Sequence, residues 1–338
     1  MSRVLVTGAA GFIGSHLCEA LLARGCHVRA LDAFTTFYDP HRKHLNVRHL
    51  SGHPRFELVR RDLLDAGLGT ALAGVDAVAH LAGEPGVTTS WGGSFARYLD
   101  RNVLATQRLL EAVSTSSVAR FVYASSSSVY GAGGEALRAR GEPRPASPYG
   151  VSKLAAEALV GAYAHGYGLP AVSLRYFSVY GPRQRPDMAA HRFIEALLDG
   201  RPLQLFGDGR QVRDFTYVGD VVEATVLALF ADLPRAAVLD VASGHPTEVG
   251  TLIAQLRSLL GGGIGPLERL EERRGDVPRT AGEIGTAREH LGWSPRTDLR
   301  TGLLRQIAWH EGLRLDAPPG SDRASALHDG ALLPAAGA

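Results

Sequence analysis

The sequence predicts an α/β fold, a doubly wound parallel sheet joined to a smaller C-terminal domain. Two observations lead to this fold class. Short apolar runs alternate with longer segments of helical spacing through the first half of the 338 residues. A glycine-rich turn directly follows the first apolar run. Strands that alternate with helices form a parallel sheet, because each helix must bury its apolar stripe on one of the two sheet faces.

Six strands and three helices make up this alternation. Each predicted strand is a short run rich in apolar residues, whereas the helices carry apolar residues at a spacing of three and four. The predicted strands are Val4–Thr7, His27–Asp32, Phe56–Val59, Asp76–Ala82, Arg120–Ser125 and Ala171–Tyr176. The predicted helices are Phe12–Ala23, Ser94–Val113 and Tyr149–Tyr167.

The pattern loosens after residue 176, where several prolines interrupt it. Two further elements remain clear, a strand at Val238–Val241 that returns to the main sheet and a last helix at Leu299–Leu313. We therefore predict one domain over residues 1–176 and a second, mainly over residues 177–315, with some segments returning to the first domain's sheet. Residues 316–338 are dominated by Pro, Gly, Ser and Ala and are expected to form a disordered tail.

Composition and charge exclude several classes of protein. The net charge is +2 and the arginines are scattered, which predicts no nucleic-acid partner and no membrane partner. No segment approaches the roughly 20 apolar residues that cross a bilayer, and the N-terminus lacks a signal-peptide pattern. Cys18 and Cys26 are the two cysteines, too few for a disulfide framework or a metal site. Reduced thiols of this kind are typical of cytoplasmic proteins.

The turn after the first strand has the spacing of a dinucleotide site. Gly8, Gly11 and Gly14 allow a tight turn, close approach of backbone N–H groups to a pyrophosphate, and close helix–strand packing. Asp32 ends the second strand, where a carboxylate accepts ribose hydroxyls and repels a 2′-phosphate, so the predicted cofactor is NAD. The residues predicted to continue this site at later strand ends are Asp62, Leu63, Leu81, Ala82 and Gly83.

A catalytic pair is predicted on the third helix. Tyr149 and Lys153 are four residues apart and so share one face. The chain contains only two lysines against 34 arginines, and one of the two stands here. A compact ammonium can bind the ribose of a nicotinamide nucleotide and lower the pKa of the tyrosine, which makes it a usable base. Ser125–Ser128 ends the fifth strand, and Ser126 is expected to hydrogen-bond the reacting hydroxyl.

Together these residues resemble the extended short-chain dehydrogenase/reductase family, the nucleotide-sugar epimerases and dehydratases. The resemblance runs from Arg3 to about His310. Beyond the glycine turn, Asp32 and the Tyr149–Lys153 pair, the similar segments are Ala124–Ser126, Val129–Gly131, Leu174–Phe177, Gly207–Gly209 and Arg213–Val218. The resemblance implies a Rossmann domain with tightly bound, recycled NAD, a C-terminal domain that binds a UDP- or dTDP-sugar, and a homodimer formed through paired helices.

The resemblance also implies further contacts, with Phe206 stacking on the base and Arg213 and Arg274 holding the diphosphate. The additional cofactor contacts are Phe12, Ile13, Lys43, Asn102 and Tyr176, beside Tyr149 and Lys153. The implied substrate contacts are Gly86, Val87, Ser126, Ser127, Ser128, Tyr149, Ser178, Arg185, Phe206, Arg213, Arg274 and Asp276.

The residues near Ser126 favour epimerisation over elimination. A 4,6-dehydratase needs an acid–base pair where Ser127 and Ser128 stand, and the UDP-glucuronate decarboxylases carry glutamate at the second of these positions. The segment from Tyr176 to Met188 is similar to that of UDP-glucuronate 4-epimerases, with a small hydroxyl at Ser178 and a basic Arg185, although Thr88 replaces an expected arginine. UDP-glucose or UDP-N-acetylglucosamine 4-epimerase, and a non-catalytic NAD-binding regulator, remain the alternatives.

Overall fold

A seven-stranded parallel sheet forms the centre of the protein in a computed structural model that describes residues 2–131, 142–261 and 266–315. Its strand order is β11-β6-β5-β4-β1-β2-β3, so that the chain begins in the middle and builds outward in both directions. The sheet strands are β1 Arg3–Thr7, β2 His27–Asp32, β3 Phe56–Arg60, β4 Ala77–His80, β5 Arg120–Ser126, β6 Ala171–Tyr176 and β11 Ala237–Val241. This confirms the predicted doubly wound parallel sheet.

Six short strands form three two-stranded sheets outside the main one. They pair as β7 with β10 in parallel, β8 with β13 in parallel, and β9 with β12 in antiparallel orientation. Their bounds are β7 Ser178–Tyr180, β8 Leu203–Phe206, β9 Val212–Arg213, β10 Phe215–Tyr217, β12 Thr247–Glu248 and β13 Leu267–Leu270.

The described helices lie on both faces of the main sheet and in the C-terminal half. Their bounds are α1 Phe12–Ala23, α2 Pro40–Arg48, α3 Gly69–Leu72, α4 Phe95–Tyr98, α5 Ala105–Ser114, α6 Pro148–Gly166, α7 Ala189–Leu198, α8 Val218–Phe230, α9 Val249–Leu259, α10 Gly285–Leu291 and α11 Leu299–Leu315. Core residues of α1 and α8 pack on one face of the sheet, and those of α5 and α6 pack on the other.

Local sequence explains where the two helices nearest the predicted site begin. Ser147 caps α6 by accepting a hydrogen bond from the Gly150 N–H at 3.1 Å, and Pro148 occupies the first helical position. Asp39 and Pro40 start α2 in the same way, with the Asp39 carboxylate accepting from the His41 N–H at 2.8 Å. The helix α2 is charge-rich and lacks an apolar period, so the periodicity did not predict it, although the Asp-Pro pair marks its start.

The predicted helix Ser94–Val113 is divided in the structure. A wider π-helical segment at Leu99–Leu104 separates α4 from α5. Such π segments often occur at functional sites, and this one contains the buried Asn102, whose amide lies against Glu84 and Ser152. Strand β4 is also shorter than predicted. It ends at His80. The Leu81 N–H still donates to the Thr7 carbonyl, and the chain leaves the sheet after this bond.

A separate core organises the C-terminal half. Phe193 on α7, Leu252 on α9 and Leu303 on α11 are buried together with the apolar residues of β8. Strand β11 pairs with β6 over Ala237–Val241, so this half does return one strand to the main sheet. The division at residue 176 stays a prediction, and the tail predicted at 316–338 lies outside the described residues. None of the described helices is both long and apolar enough to cross a membrane.

Gly302 allows α11 to approach β7 closely. A Cβ atom placed there would lie 2.1 Å from the hydroxyl oxygen of the fully buried Tyr180, whereas a Cβ at Gly312 on the same helix meets nothing within 4 Å. We expect Gly302→Ala to lower the free energy of unfolding by about 1–3 kcal/mol through overpacking. Gly312→Ala should raise it by about 0.5–1 kcal/mol through helix propensity. Urea denaturation of both variants checks this, and equal effects would contradict the close approach.

Candidate active site and family

The glycine turn is packed so tightly that its side-chain positions are closed. A Cβ atom at Gly14 would lie 2.2 Å from the Gly8 carbonyl oxygen, and one at Gly8 would lie 2.8 Å from the Ala82 nitrogen. Gly8 also has a φ of +67°, which L side chains rarely adopt. The turn therefore brings β1, α1 and the end of β4 together, and its glycines leave the backbone before α1 free of side chains at Gly8, Gly11 and Gly14. This is the surface that a pyrophosphate needs.

Asp32 closes this turn from the adjacent strand. Its buried carboxylate accepts hydrogen bonds from the Ala10 N–H at 3.0 Å and the Phe34 N–H at 2.7 Å. A carboxylate has about four acceptor positions, so two remain for ribose hydroxyls. Lys43 Nζ lies 3.9 Å from the same carboxylate and donates to Thr35 Oγ1 at 3.1 Å. The residues present therefore fit an adenosine ribose at the end of β2.

Several predicted cofactor residues have their polar groups engaged within the protein. The Asn102 amide bonds to both backbone groups of Glu84 and to Ser152 Oγ, so it holds the segment after β4 against α6. The Tyr176 hydroxyl bonds to Thr225 at 2.7 Å within the core. Asp62 pairs with Arg101 and accepts from the Leu64 N–H. Phe12 and Leu63 are core residues, and Ile13 and Leu81 pack at the core edge.

Tyr149 and Lys153 lie on α6 beside the end of β5. The Lys153 ammonium donates to the Ala124 carbonyl and lies 4.4 Å from the centre of the Tyr123 ring. The Tyr149 ring packs edge-on against Tyr98, with ring centres 6.2 Å apart. The Ser126 hydroxyl lies close enough to Tyr149 to lower the pKa of the phenol. The structure thus brings together the three side chains that were predicted to be catalytic.

Burial dominates the electrostatics of this pair. It lowers the pKa of Lys153 to about 7, against the opposing effect of the Glu157 carboxylate. Burial raises the pKa of Tyr149, and the groups that oppose this are the Ser126 hydroxyl and the Arg185 guanidinium. The expectation that Lys153 lowers the tyrosine pKa stays a prediction. The lysine charge is directed at the Ala124 carbonyl and the Tyr123 ring, and two other groups favour the phenolate.

The serine cluster turns away from the strand immediately after Ser126. Ser127–Val129 forms a single 3-10 turn, which Ser126 caps by accepting from the Ser128 N–H at 3.1 Å. Ser127 and Ser128 are both half-buried. Ser178 begins β7, is also half-buried, and donates its N–H to the Asp214 carbonyl at 2.9 Å. These hydroxyls lie at the carboxyl ends of β5 and β6, where ligands of such sheets bind.

A guanidinium lies on the other side of Tyr149. Arg185 uses Nε and Nη2 to bind both oxygens of Asp187 at 3.0 and 2.9 Å, and its Cζ lies 5.8 Å from the Phe37 ring centre. A Cβ at Gly86 would lie 3.5 Å from that same ring. Val87 is the N-cap residue of the 3-10 turn at Thr88–Ser90. The loop after β4, the segment before α2 and Arg185 therefore surround one region next to the tyrosine.

The predicted base-binding ring is covered by arginines in this structure. The Arg273 guanidinium lies 3.5 Å from the Phe206 ring centre and that of Arg192 lies 5.3 Å away. Burial and the like charge of Arg192 lower the pKa of Arg273 to about 10. Arg213 is paired with Asp276. Arg274 lies 5.7 Å from the Trp91 ring centre, and its assignment to the diphosphate stays a prediction. Arg273, which the sequence did not single out, is the arginine that contacts Phe206.

Asp214 is a second residue that was not assigned a role. Its fully buried carboxylate accepts from the N–H and hydroxyl of Ser243, both at 2.6 Å, and from the N–H groups of Gly244 and Gly282. It therefore fixes the loop after β11 and the approach to α10 behind Phe177. The similarity of Arg213–Val218 to the family was the signal that could have identified it.

A buried cluster in the C-terminal half also carries titratable groups. Among the described residues, His191, Glu195 and His310 are close enough to be considered as metal ligands. Arg314 donates to Glu195, and Arg42 approaches His191 at 3.4 Å. Two guanidinium groups beside this cluster, which holds a single carboxylate, disfavour an added divalent cation. The cluster joins α7 to α11 and α2.

The sequence of residues 4–239 matches the NAD dependent epimerase/dehydratase family. The chain belongs to this family. It is 40% identical over 312 residues to a Bacillus subtilis protein described as an uncharacterized UDP-glucose epimerase, YtcB, covering 92% of this chain and 98% of that protein. It is 35% identical over 318 residues to a UDP-glucuronate 4-epimerase of Thermodesulfobacterium geofontis, covering 91% of this chain and 96% of the relative.

A solved structure extends this similarity to three dimensions. The fold superimposes with a TM-score of 0.87 on a UDP-glucuronic acid 4-epimerase from Bacillus cereus, crystallised with UDP-glucuronic acid and NAD. The two chains are 40% identical, and the match covers 92% of this chain and 99% of the other. The resemblance predicted from the sequence motifs is confirmed at the level of the family.

Proposed function

We propose that this protein is an NAD-dependent 4-epimerase of a UDP-sugar that interconverts UDP-glucuronic acid and UDP-galacturonic acid through a transient 4-keto sugar. The observation that carries the proposal is the position of Tyr149 close to Ser126 and Arg185, both of which favour its phenolate, in a chain whose glycine turn fits a dinucleotide. The relatives described as UDP-glucuronate 4-epimerases support a UDP-sugar as the class of substrate.

The chain's own residues have distinct parts in this reaction. Tyr149 removes the proton of the sugar 4-hydroxyl, and Ser126 shares the hydrogen bond that guides it. Lys153 holds the nicotinamide ribose, and Asp32 holds the adenosine ribose. NAD, when bound, supplies the acceptor for the C4 hydride and returns that hydride later. The ketone must turn between the two transfers, so the sugar needs no additional acid or base, and Ser127 and Ser128 provide none.

The C5 substituent of the sugar decides between the remaining candidates. Arg185 has an unused Nη1 among the hydrogen bonds of the described residues, since Asp187 takes Nε and Nη2. A guanidinium beside the reacting tyrosine favours a carboxylate on the substrate. UDP-glucose or UDP-N-acetylglucosamine is the second candidate, which the name of the Bacillus subtilis relative favours. A non-catalytic NAD-binding role is disfavoured by the assembled Ser126, Tyr149 and Lys153.

The base and diphosphate of the nucleotide are assigned to the C-terminal half. We propose that Phe206, Arg213 and Asp276 line this part of the site, as the resemblance implies. Arg273 joins them because its guanidinium already stacks on Phe206 and is half-buried beside Arg192, a pair of like charges that an anion would stabilise. Arg274 and Trp91 then lie at the edge of this region rather than at its centre.

We also propose a homodimer and a cytoplasmic location. The helices α5 and α6 pack against each other, and the surface near them exposes three large apolar side chains. These are Leu99 at 41%, Leu104 at 39% and Val151 at 44% exposure. Apolar side chains exposed on adjacent helices suit a second copy that buries the same face. Cys18 and Cys26 are both free and buried, which fits a reducing compartment.

The decisive experiment is turnover of UDP-glucuronic acid, UDP-glucose and UDP-N-acetylglucosamine, followed by chromatography of the nucleotide sugars. We expect UDP-galacturonic acid to form fastest. Tyr149→Phe should abolish turnover while UDP-sugar binding by calorimetry survives, because the phenol is the base and affinity comes from the nucleotide contacts. Faster turnover of a neutral sugar would favour the second candidate, and more than a few per cent residual kcat in the variant would remove Tyr149 as the base.

The purified protein should contain NAD and need no added cofactor. The reason is that the oxidised cofactor is regenerated in every cycle and that Asp32, buried at the end of β2, favours a 2′-hydroxyl over a 2′-phosphate. Mass spectrometry of the denatured protein checks the identity of the nucleotide. Recovery of NADP, or continuous production of NADH during turnover, would contradict both points.

Arg185 and Ser178 should hold the substrate carboxylate and protect the 4-keto acid from losing CO₂. Decarboxylation of a β-keto acid disperses the carboxylate charge, which hydrogen bonds to that charge oppose. Each such bond contributes about 1.5–3 kcal/mol, so Arg185→Gln should lower kcat/KM for UDP-glucuronic acid at least about tenfold more than for UDP-glucose. It should also raise the UDP-4-keto-pentose by-product.

Arg183→Gln is a matched control in the same loop, because Arg183 binds Glu19 and Ser15 instead. It should leave the ratio between the two substrates unchanged. Equal losses on both substrates for Arg185→Gln and Ser178→Ala, with no increase of the by-product, would exclude these residues from carboxylate recognition.

A further inference from the structure

Glu157 is a buried carboxylate that the proposed reaction does not use. It lies four residues after Lys153 and eight after Tyr149 on α6, so the three side chains follow one face of the helix. Only 8% of Glu157 is exposed. A carboxylate this deeply buried needs partners that compensate for the lost hydration.

Both oxygens of Glu157 have strong donors. Ser125 Oγ donates to Oε2 at 2.6 Å, Arg175 Nε donates to Oε2 at 3.1 Å, and Arg175 Nη2 donates to Oε1. Arg175 Nη1 in turn donates to the Tyr130 hydroxyl at 2.7 Å, which donates to Asp240 Oδ1 at 2.7 Å. A continuous chain of charge-assisted hydrogen bonds therefore links α6 to the ends of β5, β6 and β11.

This chain of bonds meets β5 between two residues of the catalytic site. Ser125 follows Ala124, whose carbonyl accepts from Lys153, and precedes Ser126, whose hydroxyl lies close enough to Tyr149 to lower its pKa. The bond from Ser125 to Glu157 thus fixes the position of β5 along α6. It does so between Ala124, which contacts Lys153, and Ser126, which lies near Tyr149. A shift of β5 along α6 would change both contacts together.

Glu157 lies one helical turn after Lys153 on α6, and its charge favours the ammonium form of that lysine. The other groups around the ammonium are the Tyr123 ring, the Ala124 carbonyl and His80. His80 is neutral, because burial and the Lys153 charge lower its pKa to about 3. Burial also raises the pKa values of Tyr123 and Tyr149, so neither carries a negative charge near neutral pH. Arg175 is positively charged like Lys153, but it lies on the far side of the Glu157 carboxylate, which it binds.

We propose that Glu157 is a positioning residue of this active site: it fixes the Ser125–Ser126 end of β5 against α6 and supplies the counter-charge of the Lys153 ammonium. The inference rests on the proposed function, in which Lys153 acts as an ammonium. It assigns to the Glu157–Arg175 pair a role in catalysis as well as in folding.

The sign of the expected pH effect follows from the charge. Burial has already lowered the pKa of Lys153 to about 7, and the Glu157 carboxylate opposes that effect. Removing the negative charge leaves Arg175 uncompensated and favours the neutral amine, so the pKa of Lys153 falls further. A catalyst that requires the ammonium loses activity as pH rises through this pKa. In Glu157→Gln, the alkaline limb of kcat/KM should therefore move to lower pH by about one pH unit, the effect of an opposite charge nearby.

The two-lysine composition allows a direct measurement that does not depend on turnover. Protein labelled with ¹³C at Cε and ¹⁵N at Nζ of lysine gives signals from Lys43 and Lys153 alone, and Lys43→Met assigns them. We expect Glu157→Gln to lower the titration midpoint of Lys153 by about one pH unit and to leave Lys43 unchanged. An unchanged Lys153 midpoint in the folded variant would overturn the proposal.

Glu195→Gln is the matched control. Glu195 is as buried as Glu157 at 8%, lies on a helix and is bound by an arginine, Arg314, but it contacts none of the catalytic residues. Its replacement should lower the melting temperature without moving the Lys153 midpoint. A shift of that midpoint in Glu195→Gln equal to that in Glu157→Gln would show that Lys153 responds to general loosening, and would also overturn the proposal.

Glu157→Asp separates charge from position and serves if Glu157→Gln does not fold. It keeps the carboxylate but shortens the side chain by one methylene. We expect a Lys153 midpoint close to that of the parent protein and a kcat about tenfold lower at unchanged KM, because β5 is no longer held at its position along α6. Parental kcat in this variant would contradict the positioning role.

The two proposals can fail separately. If no UDP-sugar is turned over but the Lys153 midpoint moves in Glu157→Gln, the proposed function is wrong and the electrostatic role stands. If UDP-sugars are turned over and the midpoint does not move, the role of Glu157 is wrong and the proposed function stands.

Discussion

The structure depends on charged side chains that are buried away from water and paired with one another. Glu157 on α6, Arg175 on β6 and Asp240 on β11 form a buried network at the carboxyl ends of the strands, and each is less than 10% exposed. Breaking a buried pair of this kind costs several kcal/mol, since one partner is left unpaired. The network therefore fixes the relative positions of its strands and of α6 more strictly than apolar packing would, because hydrogen bonds have defined directions and apolar contacts do not.

The same principle joins the two halves of the chain. Asp214 lies between β9 and β10, yet its carboxylate binds backbone N–H groups of the loop after β11 and of Gly282. Ser178 on β7 pairs with Phe215 on β10 in the two-stranded sheet that follows β6 along the chain. A movement of the C-terminal half would thus have to break buried hydrogen bonds to a carboxylate. The arginines proposed to bind the nucleotide and the helix α6 are consequently held in fixed relative positions.

Residues whose role follows from backbone geometry could be predicted from the sequence, and residues whose role depends on tertiary neighbours could not. Gly8 and Gly14 have no room for a side chain, so their spacing, together with the strand before them and the helix after them, identified the turn. Tyr149 and Lys153 share a helical face, which fixed their proximity. Arg273 and Arg274 are adjacent in the chain, and nothing local indicates which one meets Phe206. That choice depends on the fold of β8 and β13, strands that pair across more than 60 residues.

The catalytic pair illustrates why a buried active site needs counter-charges. Burial alone favours a neutral lysine and a neutral tyrosine, whereas the proposed reaction needs an ammonium and a tyrosine that can accept a proton. Each therefore needs its own charged neighbour, Glu157 for Lys153 and Arg185 for Tyr149. If a substrate carboxylate binds Arg185, it offsets part of the positive charge that favours the phenolate and makes Tyr149 a stronger base. Substrate charge and base strength are then coupled through one guanidinium, and a neutral sugar would leave that guanidinium to Asp187.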